Sequence, residues 1–426
     1  MGDSRIVRIW AREILDSRGN PTVEAEVRTA SIVATGIAPS GASTGAHEAL
    51  ELRDGEKRFG GKGVLRAIEN IKKAIGPRLE GMDVTCQKDI DRAMIELDGT
   101  TNKSKLGGNA ITAVSFACAR VGSLCAGIPL HEHLRKCSNI LPVPMMNIIN
   151  GGKHAGSNLK IQEFMVVPAG AKSFAEAYRI GSEVYQALRG LLKASYGVGA
   201  INVGDEGGFA PSFNTTREAL DAIEKAIRSA GYMPGKDVFM ALDSAASEFY
   251  SDGQYEVDGR KLSAEELIDY YASLAEDYPI VSFEDPLEED SFDEAAMMTK
   301  RLGKRVQIVG DDLFVTNVER VRKGVGMGAA NAMLLKVNQV GTVTESFEAA
   351  DLSFKSGYNV VVSHRSGETE DTSISDIAVA LGCGQIKSGA PARTERTAKY
   401  NRLLRIEESL GSKAKFRGAS VYRSGT

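Results

Sequence analysis

The 426-residue sequence predicts an α/β fold, an eight-stranded β/α barrel preceded by a smaller α+β unit, on three observations. First, apolar runs recur from residue 238 onward, and each ends abruptly in a charged or polar group. Residues 238–242 end in Asp243, 280–283 in Glu284, 306–310 in Asp311 and Asp312, and 332–335 in Lys336. Residues 359–362 then lead into Ser363, His364, Arg365 and Ser366, and 385–386 into Lys387. Second, helix-length segments such as 317–324 separate these runs, which is the repeat of parallel strands joined by helices. In such barrels the C-terminal strand tips converge on one site. Third, the length accommodates a barrel of roughly 250 residues plus one smaller domain.

Six tips in phase exceed what capping alone produces, because capping favours Ser, Thr and Asn as much as Asp, Glu and Lys. Asp285 and Asp312 read as cap or turn residues. A hydrophobic content of 42% with 25% charged residues is that of a globular protein, and a net charge of -4 argues against a nucleic-acid partner. No apolar run approaches the roughly 20 residues of a membrane span. Residues 1–5 lack the basic and apolar regions of a signal peptide, so a cytoplasmic location is expected. The cysteines at 86, 118, 125, 137 and 383 show no CxxC spacing, and His131 and His133 near Cys137 lack a second cysteine. Buried free thiols are expected.

The smaller domain is expected over residues 1–138 and the barrel over 139–426. Residues 6–14 and 22–27 read as strands around the Gly19-Asn20-Pro21 turn, 31–38 as a third strand, and 63–75, 86–97 and 108–126 as helices. The loop Pro39-Ser40-Gly41-Ala42-Ser43-Thr44-Gly45 is small and polar; it suits a mobile lid or a plain linker. Pro142 and Pro144 mark the crossing into the barrel. Its first strands are 145–149 and 162–167, joined by the loop Asn150-Gly151-Gly152-Lys153-His154-Ala155-Gly156 with no helix between. Helices over 173–195 and 215–230 follow, flanking Gly204-Asp205-Glu206-Gly207-Gly208, which reads as an ordinary turn or as an acid at the barrel mouth. The last helix, 394–410, is amphipathic, stops at Gly411 and should pack outside the barrel.

Asp243, Glu284 and Asp311 offer hard oxygen ligands on successive strands, a set that selects Mg²⁺ over zinc. A cation beside Lys336 favours the neutral amine, so Lys336 suits a general base. Arg365, Ser366 and Lys387 form a basic wall for a phosphate and a carboxylate, opposite the acids Glu163 and Glu206. A base, acids, a metal and an anion clamp together suit proton abstraction next to the carboxylate of a phosphorylated acid.

The same residues carry a resemblance to the enolase family over nearly the whole chain. The matching stretches include Asp16-Ser17-Arg18-Gly19-Asn20-Pro21-Thr22-Val23-Glu24, Ser40-Gly41-Ala42-Ser43-Thr44-Gly45, Gln162-Glu163-Phe164-Met165 and Gly204-Asp205-Glu206-Gly207-Gly208. They continue in Glu284-Asp285-Pro286, Gly310-Asp311-Asp312-Leu313, Leu335-Lys336-Val337-Asn338-Gln339, Ser363-His364-Arg365-Ser366-Gly367-Glu368 and Ile386-Lys387. The resemblance implies a barrel of the ββαα(βα)6 type and a lyase that dehydrates 2-phosphoglycerate to phosphoenolpyruvate. It implies that Asp243, Glu284 and Asp311 hold a first Mg²⁺ and that Ser43 helps hold a second, arriving with substrate. Lys336 would remove the C2 proton, and Glu206, supported by Glu163, would protonate the departing C3 hydroxyl. Arg365 and Ser366 would bind phosphate and Lys387 the carboxylate side; His364 would line the pocket and His154 would enter as loops close. The lysine base with one or two Mg²⁺ ions is established chemistry of this superfamily rather than a reading of these residues. The resemblance also implies a homodimer or higher homo-oligomer. Lys160, where a small or acidic residue is expected, and the short segment 251–263 depart from the pattern. Two rivals differ at testable places: an acid-sugar dehydratase would lack Ser43 and the Arg365-Ser366 clamp, and a non-catalytic or moonlighting binding protein of this descent would be free to lose Lys336 or Glu206.

Overall fold

The computed structural model describes residues 4–41, 45–135, 138–155 and 158–422, with the backbone alone described at His154 and Ala155. Strands β1 (Arg8–Leu15), β2 (Pro21–Arg28) and β3 (Val33–Ile37) form an antiparallel meander in the order β1-β2-β3. Val23, Ala25 and Val27 alternate along β2 and are buried, giving the sheet one apolar face. Helix α1 (Gln87–Asp98) packs on helix α2 (Gly108–Ala126), and α2 covers that face, lying against β2 and β3. Helix α2 has the length and composition of a membrane span, contrary to the sequence expectation that no run would come near one. Its most apolar window is 78% buried within the protein, because it fills the space between sheet and barrel.

Eight strands close the barrel: β4 (Val143–Asn150), β5 (Glu163–Val167), β6 (Phe239–Asp243), β7 (Ile280–Glu284), β8 (Gln307–Gly310), β9 (Ala332–Leu335), β10 (Asn359–Ser363) and β11 (Gln385–Lys387). Val143, Met145, Met165, Ala241, Val309, Leu334 and Val361 pack the interior. Helices α3 (Phe174–Tyr196) and α4 (Thr216–Ser229) follow β5; α5 (Ala264–Asp277), α6 (Phe292–Leu302), α7 (Val318–Met327), α8 (Val343–Lys355) and α9 (Ser373–Leu381) alternate with the later strands, and α10 (Thr394–Leu410) closes the outer layer against α3 and α9. The helix starts are written locally: Thr215 and Ser263 form capping boxes with Glu218 and Glu266, and Asn317 caps α7.

Strand β5 is antiparallel to both β4 and β6, while the remaining neighbours are parallel. Its first residue, Glu163, therefore pairs with the last residue of β6, Asp243, and lies at the same end of the barrel as the C-terminal tips of the parallel strands. Two details differ from the sequence expectation. The β4–β5 connection contains a helical turn, Gly152–Ala155, too short to leave a periodic signal. The short segment after β6 is a small antiparallel sheet of Tyr250–Ser251, Gln254–Val257 and Arg260–Leu262. The cysteines also divide: Cys118 and Cys383 are buried, whereas Cys86 is exposed.

Candidate active site

The barrel mouth brings together Glu163, Glu206, Asp243, Asp311, Lys336, His364, Arg365, Ser366 and Lys387 around one pocket. Glu284 lies beside them, bonded to the same lysine as Asp243. Ser43 lies outside the described residues, and the side chain of His154 likewise.

Two ammonium groups organise the carboxylates. Lys387 is buried, with Nζ 2.8 Å from Asp243 Oδ2, 2.8 Å from Glu284 Oε1 and 3.3 Å from Glu163 Oε1. Burial works against its charge, but Asp243, Glu163 and Glu284 together raise it well above the ordinary lysine value. Lys336 Nζ donates to Asp311 Oδ2. Burial again opposes its charge, and Asp311 outweighs it, so Lys336 holds its proton more firmly than an exposed lysine. That is the reverse of the neutral tendency expected from the sequence, because Asp311 here faces the ammonium itself. Burial, then Glu206, raises Glu163 well above the carboxylate range against the pull of Lys387; burial and Asp243 do the same to Glu284.

Asp285 has a structural task. Its Oδ1 accepts the backbone N–H of Asp311 at 2.8 Å and its Oδ2 that of Asp312 at 2.7 Å, bracketing the tip of β8. Among the described residues Asp285, Asp311 and Asp312 have ligand oxygens within 4.8 Å of one another, closer than the expected set Asp243, Glu284 and Asp311. Both Asp285 oxygens are committed to backbone donors, so proximity alone does not make it a ligand. In the expected set one oxygen of each carboxylate is bonded to a lysine, Lys387 for Asp243 and Glu284 and Lys336 for Asp311. The set still fits a hard cation: all its donors are carboxylate oxygens, and Glu284 Oε2 is buried without a hydrogen-bond partner among the described residues.

The anion clamp is also engaged from within. Arg365 donates through Nη1 to Glu48 Oε2 at 2.8 Å and through Nη2 to Glu48 Oε1 at 3.1 Å, a bidentate pair that leaves both side chains buried. Gln339 Nε2 donates to Asp311 Oδ1 at 2.8 Å, while its backbone carbonyl accepts Ala49 N–H at 2.7 Å. Ser40 and Gly367 exchange two backbone hydrogen bonds of 2.8 Å. A Cβ on Gly367 would stand 2.8 Å from the Ser40 carbonyl, so the close approach requires glycine there. Glu48, Gln339 and Arg396 were not singled out from sequence. Gln339 lies inside a quoted motif and Glu48 three residues past Gly45; Arg396 and Lys399 sit three apart, just ahead of the buried stripe Tyr400, Leu403, Ile406.

The family model described as Enolase, C-terminal TIM barrel domain, matches residues 138–424, and that described as Enolase, N-terminal domain, matches 6–134. An enolase of Methanocaldococcus jannaschii is 61% identical over 405 residues, covering 95% of each chain. The enolase of Methanopyrus kandleri is 59% identical over 416 residues, with 97% of each chain covered. That of Thermococcus gammatolerans is 56% identical over 420 residues, covering 98% of this chain and 96% of its own. With two family models spanning the sequence and relatives this similar over nearly their full length, the chain belongs to the enolase family, the phosphopyruvate hydratases, a class of lyases.

Proposed function

We propose that this protein catalyses the reversible, Mg²⁺-dependent dehydration of 2-phospho-D-glycerate to phosphoenolpyruvate in the cytoplasm. The observation that carries this is the pairing of Lys336 with Asp311 on one side of a pocket whose other walls are Glu163 and Glu206, Lys387, and Arg365 with Ser366. Lys336 is the base that takes the C2 proton. Glu206, supported by Glu163, gives a proton to the departing C3 hydroxyl. Arg365 and Ser366 bind the phosphate, which replaces Glu48 on the guanidinium; Lys387 binds the substrate carboxylate, His364 lines the pocket, and His154 joins it as substrate arrives.

Asp243, Glu284 and Asp311 would hold one Mg²⁺, and Ser43 would help hold a second that comes with the substrate. Bound Mg²⁺ would offset the negative charge that builds on the substrate carboxylate as C2 loses its proton. Asp311 serves either the ammonium of Lys336 or a cation, so cation binding deprives Lys336 of the partner that raises its proton affinity. Asp243 and Glu284 release Lys387 in the same way.

A homodimer is supported by the outer face of β1 and β2, where Trp10 is exposed beside Arg12, Glu24 and Glu26. Sedimentation as a monomer at micromolar concentration would remove that part. The cytoplasmic assignment is supported by Cys86, Cys118, Cys125 and Cys383, none of them in a disulfide. The reaction is tested by following phosphoenolpyruvate formation with and without Mg²⁺. Activity should vanish with excess chelator and return with the ion; full activity in the chelator sinks the proposal.

A further inference from the structure

Arg396 lies in the first turn of α10, and its side chain is completely buried at the barrel mouth. Its Nη1 stands 2.6 Å from His364 Nδ1 and donates to the Arg365 carbonyl at 2.6 Å. Its Nη2 donates to the Asp205 carbonyl at 3.0 Å and to the Ser366 carbonyl. One guanidinium thus ties the loop carrying Glu206 to the loop carrying the anion clamp. The packing leaves no slack: a Cβ on Gly389 would meet Arg396 Cδ at 2.9 Å and His364 Cε1 at 3.1 Å.

A guanidinium carries donors and no acceptor. His364 Nδ1, facing Nη1, must therefore accept, which places the ring proton on Nε2 and leaves the imidazole neutral. His364 Nε2 is 3.3 Å from Glu206 Oε2, the same oxygen that accepts Asn147 Nδ2 at 3.2 Å. Nε2 makes no hydrogen bond of good geometry among the described residues; with its proton there the ring presents an N–H to Glu206 Oε2 and has no lone pair there to receive a proton. The charged groups acting on His364 are Glu206, Arg396 and Glu368; burial dominates them and lowers the ring to about 4.

We propose that Arg396 is a positioning residue: it locks His364 as the neutral Nε2–H tautomer and, through that N–H, holds Glu206 in the orientation from which it meets the leaving hydroxyl. The proposal rests on the reading of Glu206 given above. A proton on Glu206 then has the substrate as its acceptor and is not drained into the ring.

The test uses the intact enzyme labelled with ¹⁵N-histidine, where only five histidines contribute, and His364→Gln identifies the ring's signals. Nδ1 should be unprotonated and Nε2 protonated, unchanged from about pH 5.5 to 8. A protonated Nδ1 or an imidazolium within that range overturns the proposal without any variant having to fold. In Arg396→Met the tautomer preference should be lost, and dehydration should fall about tenfold or more while C2 proton exchange stays within about threefold. Arg396→Lys, which keeps a donor, should recover most of the dehydration rate. Equal loss of exchange and dehydration in a folded Arg396→Met protein makes Arg396 merely structural and overturns the proposal. If Glu206→Gln keeps full dehydration while the wild-type ring shows the stated tautomer, the reading of Glu206 is what fails.

Discussion

At the barrel mouth each cation is shared: Lys387 lies between Asp243 and Glu284, and Lys336 rests on Asp311. The lysine that should take a proton is held protonated by the same carboxylate that should hold a cation, so the two events exclude each other at Asp311. The half-reactions separate accordingly. Lys336→Ala should lose exchange of the C2 proton of 2-phosphoglycerate with solvent by about 10² to 10⁴, because no other amine stands on that strand. Glu206→Gln should lose net dehydration by a similar factor yet keep measurable exchange, read by proton NMR in D₂O. Loss of exchange in both variants to the same extent would merge the two roles into one acid-base unit. The six tips were legible in sequence because a charge after an apolar run is a local event. Glu48 and Gln339 were not, because what makes them matter, Arg365 and Asp311, lies up to 317 residues away.

At the level of elements, the strands and most helices follow their sequence periods closely, and α10 begins at Thr394 and ends at Leu410 as expected. The direction of β5 was not written in its apolar run, since a five-residue buried strand reads the same either way. The joint between α1, α2 and α8 was equally silent. There Asp91, fully buried, accepts Gln87 Nε2 at 3.0 Å and Ser115 Oγ at 2.8 Å on one oxygen, and the Thr344 backbone N–H at 2.9 Å with the Thr344 hydroxyl on the other. Burial raises its carboxyl from 3.8 to about 6 despite those donors. The folded state thus binds this proton more tightly than the unfolded chain, and stability carried by Asp91 increases as pH falls from above 6 toward 4. Asp91→Asn cannot titrate. Its stability deficit relative to wild type should therefore widen by about 2 kcal/mol between pH 7 and pH 4.5 in urea unfolding. A gap that stays constant or narrows over that range would show that the carboxyl titrates as an exposed one.

On the scale of the whole molecule, the N-terminal unit grips the segments that follow β9 and β10, the strands leading to Lys336 and Arg365. Thr112 Oγ1 donates to the Gly341 carbonyl at 2.9 Å, Lys103 pairs with Glu345, and Arg120 pairs with Asp371 at 2.7 Å. The Ile37 backbone N–H donates to the other Asp371 oxygen at 3.1 Å, and Glu48 holds Arg365. Melting the N-terminal unit would strip the buried Asp371 and Arg365 of the partners they have across this interface, Arg120, the Ile37 N–H and Glu48. Each uncompensated group costs about 1 to 3 kcal/mol, more where it is charged, so a state with the barrel folded and the N-terminal unit melted lies well above the native state. We therefore expect calorimetry to give one cooperative transition for the whole chain, with calorimetric and van't Hoff enthalpies in agreement. Mg²⁺ at about a hundredfold its dissociation constant should stabilise that single transition by about 2.7 kcal/mol, since a cation bound at the mouth is linked to both units through Asp311, Gln339 and the Ala49 backbone. Two resolved transitions, only one of which moves with Mg²⁺, would mean that the N-terminal unit rests on the barrel without helping to hold its site in place.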